Sequence, residues 1–139
     1  MPQNYTAQSP VTGYYITSTK CDVAGQIVAT ADGKDGIPDG ATLTFSQALQ
    51  PANTNVTIQG VSGLYVALPP DPVSGSKLVW SSTAATWEVE VTQTGPYVII
   101  PTGQDLYWYT GNDIGPIVEV KSGAQVQGSE NEWMINTAN

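Results

Sequence analysis

Val56-Thr57-Ile58, Leu64-Tyr65-Val66-Ala67-Leu68, Leu78-Val79-Trp80 and Trp87-Glu88-Val89-Glu90-Val91 follow one another between positions 56 and 91. Each run is short, apolar and rich in β-branched or aromatic residues, and Gly, Pro, Ser and Thr separate them, which predicts four strands joined by turns. The last run alternates apolar and acidic residues with a period of two, as a strand with one wet face does. The same order returns downstream in Tyr97-Val98-Ile99, Leu106-Tyr107-Trp108-Tyr109, Ile117-Val118-Glu119-Val120 and Trp133-Met134-Ile135. Upstream it is weaker: Tyr15-Ile16 opens a unit, Gln26-Ile27-Val28-Ala29-Thr30 and Thr42-Leu43-Thr44-Phe45 read as strands, and Phe45 stands where the closing Trp stands elsewhere.

The openings at 15, 56 and 97 have equal spacing, since 56 − 15 and 97 − 56 are both 41. Self-similarity at such a period marks repeated supersecondary units. Their boundaries fall at approximately 10–50, 51–92 and 93–139, within a single domain, 1–139. Propellers have four-stranded blades too, but usually about four to eight of them. Three units predict an all-β fold closed with pseudo-three-fold symmetry, a β-trefoil.

Composition agrees. The 139 residues include ten Pro and fourteen Gly, with 40 % hydrophobic content, enough for one core without staples. Twelve acids against four lysines give a net charge of −8, which repels phosphate backbones and anionic headgroups, so nucleic acid is not expected as a partner. No stretch approaches a membrane span, so membrane insertion is not expected either. The single cysteine, Cys21, has no partner for an intramolecular disulfide and suits a reducing compartment. The N-terminus carries neither a basic nor an apolar signal region, so a cytoplasmic location is the expectation.

The chain has no His, which removes the commonest general base and zinc ligand, and one Cys builds no thiolate metal site. No metal, cofactor or catalytic residue is therefore expected. A glycosidase-like carboxylate pair has Asp105, Asp113, Glu88 and Glu90 as candidates, and Glu88 and Glu90 read as the solvated face of a strand. The segment Asp32 to Gly40 departs from calcium-loop spacing and reads as an exposed, turn-rich loop.

What remains in excess is seven Tyr and four Trp against one Phe, a bias toward rings with a polar handle. Alternation in Leu106-Tyr107-Trp108-Tyr109 sends Leu106 and Trp108 to one face and Tyr107 and Tyr109 to the other. With the first pair in the core, both tyrosines face outward. Neutral sugars suit such a face: pyranose C–H groups stack on a ring while hydroxyls meet groups such as Ser82, Thr83, Asn112 or Asp113.

The segments Asn55 to Ile58, Leu78-Val79-Trp80 with its loop into Trp87, Thr94-Gly95-Pro96-Tyr97-Val98-Ile99, and Trp108 through Ile135 resemble the small mushroom β-trefoil lectins that recognise fucosylated N-glycan cores. The resemblance covers roughly the last 85 residues, and the first unit only through Gly13-Tyr14-Tyr15-Ile16. It implies glycans or glycoproteins as partners, possession of GlcNAc or fucose by the ligand, and a role in fungal defence. It also implies a site on the second unit made by Tyr65, Trp80 and the loop Thr83 to Trp87. Ala84-Ala85 replaces the polar and aromatic pair of that family, and Trp80 is larger than its counterpart there. The Gln-x-Trp signature of ricin-type trefoils is absent.

Fungal β-trefoil protease inhibitors resemble the chain in length, acidity and repeat pattern. That alternative would act through Lys20 to Gly25 or Lys34 to Gly40, or present Asn53 to an asparagine-directed protease. The aromatic surplus favours the lectin. A homodimer would raise avidity for surface glycans.

Overall fold

A computed structural model describes residues 2–18, 24–111, 114–123 and 129–138. Lys20, Cys21, Asn112 and Asp113 lie outside these. The first unit contributes β1 (Gln3–Gln8), β2 (Tyr14–Thr17), β3 (Ala29–Asp32) and β4 (Leu43–Phe45). The second contributes β5 (Ala52–Val56), β6 (Ile58–Gln59), β7 (Tyr65–Ala67), β8 (Val79–Ser81) and β9 (Trp87–Val91). The third contributes β10 (Tyr97–Pro101), β11 (Leu106–Tyr109), β12 (Glu119–Ser122) and β13 (Met134–Thr137). No α-helix occurs among the described residues. β5 and β6 are one opening strand interrupted at Asn55, whose φ of 58° accompanies a register shift between Asn53 and Val56.

Opening and closing strands form a ring. β1 pairs with β4 and β13, β4 with β6, β9 with β5 and β10, and a bridge between Tyr97 and Trp133 joins the last unit back to the ring. The hairpins β2–β3, β7–β8 and β11–β12 cap one end. They meet through their third strands at the bridges Ile27–Val79, Ala29–Ile117 and Lys77–Glu119, with Val28 N–H donating to Leu78 O at 2.9 Å and Leu78 N–H to Val118 O at 3.0 Å. Three hairpins capping a closed barrel make this fold a β-trefoil.

The register fixes which residues correspond. Tyr5 faces Leu43, Val56 faces Trp87 and Tyr97 faces Trp133 across their ladders. Ile16, Val66 and Trp108 face Thr30, Trp80 and Val120. Nearly all of these side chains are buried in one cluster, with Val28, Leu78 and Val118 beneath the cap. Volume is traded between units: the third supplies Trp108 where the others have Ile16 and Val66, and its ring meets Trp87 edge-on at 5.0 Å and Trp133 at 6.3 Å. Trp87 Nε1 donates to Val66 O at 3.2 Å and Trp133 Nε1 to Trp108 O at 3.1 Å, so each closing Trp ties its own second strand to the barrel.

Two expectations are corrected. Tyr15-Ile16 lies on the second strand of its unit, and the opening strand is β1. Ala7, Ile58 and Ile99 are the corresponding residues, so the spacing is unequal: 58 − 7 is 51, whereas 99 − 58 is 41. Phe45 corresponds to Val89; the position of the closing Trp is taken in the first unit by Leu43.

Candidate functional site

On the outward side of the hairpins one pattern recurs. Tyr15 lies between Gln8 and Ala31, Tyr65 between Gln59 and Ser81, and Tyr107 beside Lys121. All three tyrosines are half-buried, because the inward residues next to them, Ile16, Val66 and Trp108, hold their strands against the core. The turns before the first two are braced alike: Gln8 Nε2 donates to Gly13 O at 3.0 Å and Gln59 Nε2 to Gly63 O at 2.9 Å. Each tyrosine thus sits on a fixed strand as a partly accessible residue, so that contact with it needs little reordering.

The residue two positions beyond the third-strand partner differs between units. It is Gly33 in the first, Thr83 in the second and Gly123 in the third. A β-carbon on Gly33 would collide with Tyr15 Cε1 and lie 2.8 Å from Cδ1; on Gly123 it would lie 3.2 Å from Tyr107 Cε1 and 3.1 Å from Asp105 Oδ1. Both rings therefore rest against backbone that only glycine leaves bare. The second unit has Thr83 at this position, an exposed residue with a β-carbon.

Of the residues expected at the site, Tyr65 is half-buried and faces outward, and Ser82, Thr83 and Ala84 are exposed. Thr83 N–H donates to Ser81 Oγ at 3.0 Å, which turns the loop back on its strand. Ala85 is half-buried against the core. Three aromatic expectations are corrected. Trp87, 1 % exposed, is a core residue tied through its indole N–H. Trp80, also 1 % exposed, lies against Gly60, where a β-carbon would come within 2.9 Å of its Cη2, so the indole packs into the interior and borders a cavity of about 280 Å³ with Thr17, Ile27 and Pro116 without an open ring at the surface. Tyr109 follows the predicted alternation but is 7 % exposed, with Lys121 Nζ 5.2 Å above its ring. Tyr107 is half-buried and follows the predicted alternation, and Asn112 lies outside the described residues. Tyr15 was missed; the signal was Gly13-Tyr14-Tyr15 set against Gly63-Leu64-Tyr65.

Where one hairpin meets the turn of the next unit, two grooves are open. One, about 300 Å³, is walled by Leu68, Pro69, Pro72 and Pro101 with Trp87 and Gln104. The other, about 230 Å³, lies among Thr12, Tyr14, Gly111, Gly115 and Pro116. In the third such place Ser18 Oγ spans Gly40 O at 3.1 Å and Val61 N–H at 3.0 Å, while the Trp80 ring abuts Gly60.

The other residues considered settle simply. Glu88 is half-buried and Glu90 exposed, alternating with Trp87 and Val89 as read. Asn53 is 6 % exposed, accepts from Gln50 N–H at 2.7 Å and donates to Gln47 Oε1 and Ala48 O, so it braces its loop and cannot be presented to a protease. Glu119 holds Lys77 at 3.9 Å and Lys121 at 3.8 Å.

No protein-family model and no curated protein matches the chain. Among solved structures it is similar to the Macrolepiota procera ricin B-like lectin in complex with lactose, at 17 % identity over 98 % of this chain and 96 % of that one, with a TM-score of 0.75. The Rhizoctonia solani agglutinin matches at 16 % identity over 99 % and 96 %, with a TM-score of 0.79. The designed three-fold symmetric protein ThreeFoil matches at 12 % identity over 97 % and 99 %, with a TM-score of 0.76. At such identities the likeness carries the fold. It extends to a ricin B-like neighbour although Ala85-Thr86 and Asn131-Glu132 stand here in place of Gln-x before Trp87 and Trp133.

Proposed function

We propose that the chain is a lectin that binds neutral glycans through the outward face of its hairpins. The observation that carries this is the half-buried tyrosine at the corresponding place in all three units, Tyr15, Tyr65 and Tyr107, each fixed on a strand and open to stacking. Neighbours that include a lectin with lactose and an agglutinin support the same use of the fold. The sequence resemblance adds fucosylated or GlcNAc-containing N-glycan cores as ligands and defence of a fungus as the purpose. The second-unit site it implies loses Trp80 and Trp87 as open faces and keeps Tyr65 with the exposed loop Ser82 to Ala84.

The test is a glycan array that carries core-fucosylated and chitobiose-type structures beside galactosides. Binding to a coherent set is the expected result; silence across the array overturns the lectin reading. The inhibitor alternative then rests on the loop Lys34 to Gly40, where Ile37 is 62 % exposed, and protease assays would take it up.

A further inference from the structure

Resting on the lectin reading, we propose that the third unit carries the chain's principal sugar site, formed by Asp105 and Tyr107 over Gly123, and that its ligand is a neutral hexopyranoside. The C–H face of the sugar stacks on Tyr107 while two adjacent hydroxyls donate to the Asp105 carboxylate.

The three hairpins are not equal. Two residues before the outward tyrosine the first two units have Gly13 and Gly63, and only the third has a carboxylate, Asp105. A β-carbon on Gly123 would lie 3.1 Å from Asp105 Oδ1 and 3.2 Å from Tyr107 Cε1, so carboxylate and ring stand side by side over the same bare backbone. An ionised carboxylate accepts through two oxygens, which matches a pair of neighbouring hydroxyls, and such charge-assisted bonds are stronger than neutral ones. In the second unit the position of those glycines is held by Thr83, which is exposed and has a side chain where they have none. In the first, Tyr15 is seated on Gly33 but lacks the carboxylate.

Charge points the same way. Lys121, the cross-strand neighbour of Tyr107, is drawn to Glu119 Oε1 at 3.8 Å and over the Tyr109 ring, and Lys77 is drawn to Glu119 as well. Both cations are thus directed toward Glu119, and Asp105 remains exposed. An exposed carboxylate on a chain of net charge −8 disfavours acidic sugars and favours neutral ones.

The experiment is saturation-transfer NMR on the intact chain with the methyl glycosides of galactose, mannose, fucose, N-acetylglucosamine and sialic acid, followed by calorimetric titration of the tightest binder into variants. Asp105→Asn and Tyr107→Ala are each expected to weaken that binder about tenfold or more, as loss of a charged hydrogen-bond acceptor or a stacking ring does. Gly123→Ala is expected to weaken it too, and Glu90→Gln, which removes an exposed carboxylate on β9, to leave it within about twofold. Near-ultraviolet circular dichroism confirms that each variant is folded. Wild-type affinity in Asp105→Asn and Tyr107→Ala, a sialoside binding as well as the neutral sugars, or no binder in the panel overturns the inference. The array decides separately whether the lectin reading falls with it.

Discussion

Replacing Trp80 by Ala separates a core role for this residue from a ligand-binding one. The indole is 1 % exposed, and on its Gly60 side little can refill the space: Gly60 has no side chain, and Ser18 is held by its hydroxyl to Gly40 O and Val61 N–H. A buried Trp removes about 150–250 Å² from water, worth about 4–6 kcal/mol at about 25 cal/mol per Å². Measured Trp-to-Ala costs of about 3–5 kcal/mol overlap the lower part of this range, which places Trp80→Ala at about 4 kcal/mol. With a urea slope of about 2 kcal/mol/M, the unfolding midpoint should fall by about 2 M, followed by tryptophan fluorescence. Glycan affinity of the protein still folded at low urea should be unchanged. A midpoint within about 0.5 M of wild type, together with lost glycan binding, would refute the reasoning, because only an indole at the surface behaves that way.

Gly60→Ala should cost about 1–3 kcal/mol by overpacking, since its β-carbon would sit 2.6 Å from Ser18 Cβ and 2.9 Å from the Trp80 ring; thermal unfolding measures it. Asn53→Ala strips the 47–53 loop of three hydrogen bonds and leaves the Gln50 N–H without its acceptor, so a loss of about 1–3 kcal/mol is expected in urea titrations. Glu119→Gln, by contrast, should shift stability by less than about 1 kcal/mol, because Lys77 and Lys121 are 47 % and 26 % exposed and their pairs are long; a larger drop in melting temperature would contradict it.

The second and third units could be read from sequence because their closing strands begin at Trp and alternate cleanly, as in Trp87 to Glu90. The first unit could not be placed. Its opening strand, Gln-Asn-Tyr-Thr-Ala-Gln, buries Thr6 beside Tyr5 and Ala7 and so shows no apolar period, while Tyr14-Tyr15-Ile16 imitates an opening strand. The extra length before Leu43 then disguised the true spacing. Trp80 differs for another reason: nothing in Leu78-Val79-Trp80 tells that its indole packs against Gly60, twenty residues away in sequence and brought beside it only by the fold. Tyr109 was aimed correctly but is covered by Lys121, a cross-strand effect that alternation does not contain. The pairing of Asp105 with Tyr107 over Gly123 could not be seen without the β11–β12 register.

The ladder between β1 and β13 also bears on how the chain comes together. Tyr5 meets Thr137 and Ala7 meets Ile135, so the ring closes only when segments about 130 residues apart find each other. Closing so long a loop costs entropy that no local turn returns. During synthesis β1 must therefore wait with one side unpaired until the final strand emerges, and the polar residues Gln3, Asn4 and Gln8 that hid it from recognition are the kind that keep a waiting edge from joining a neighbouring chain.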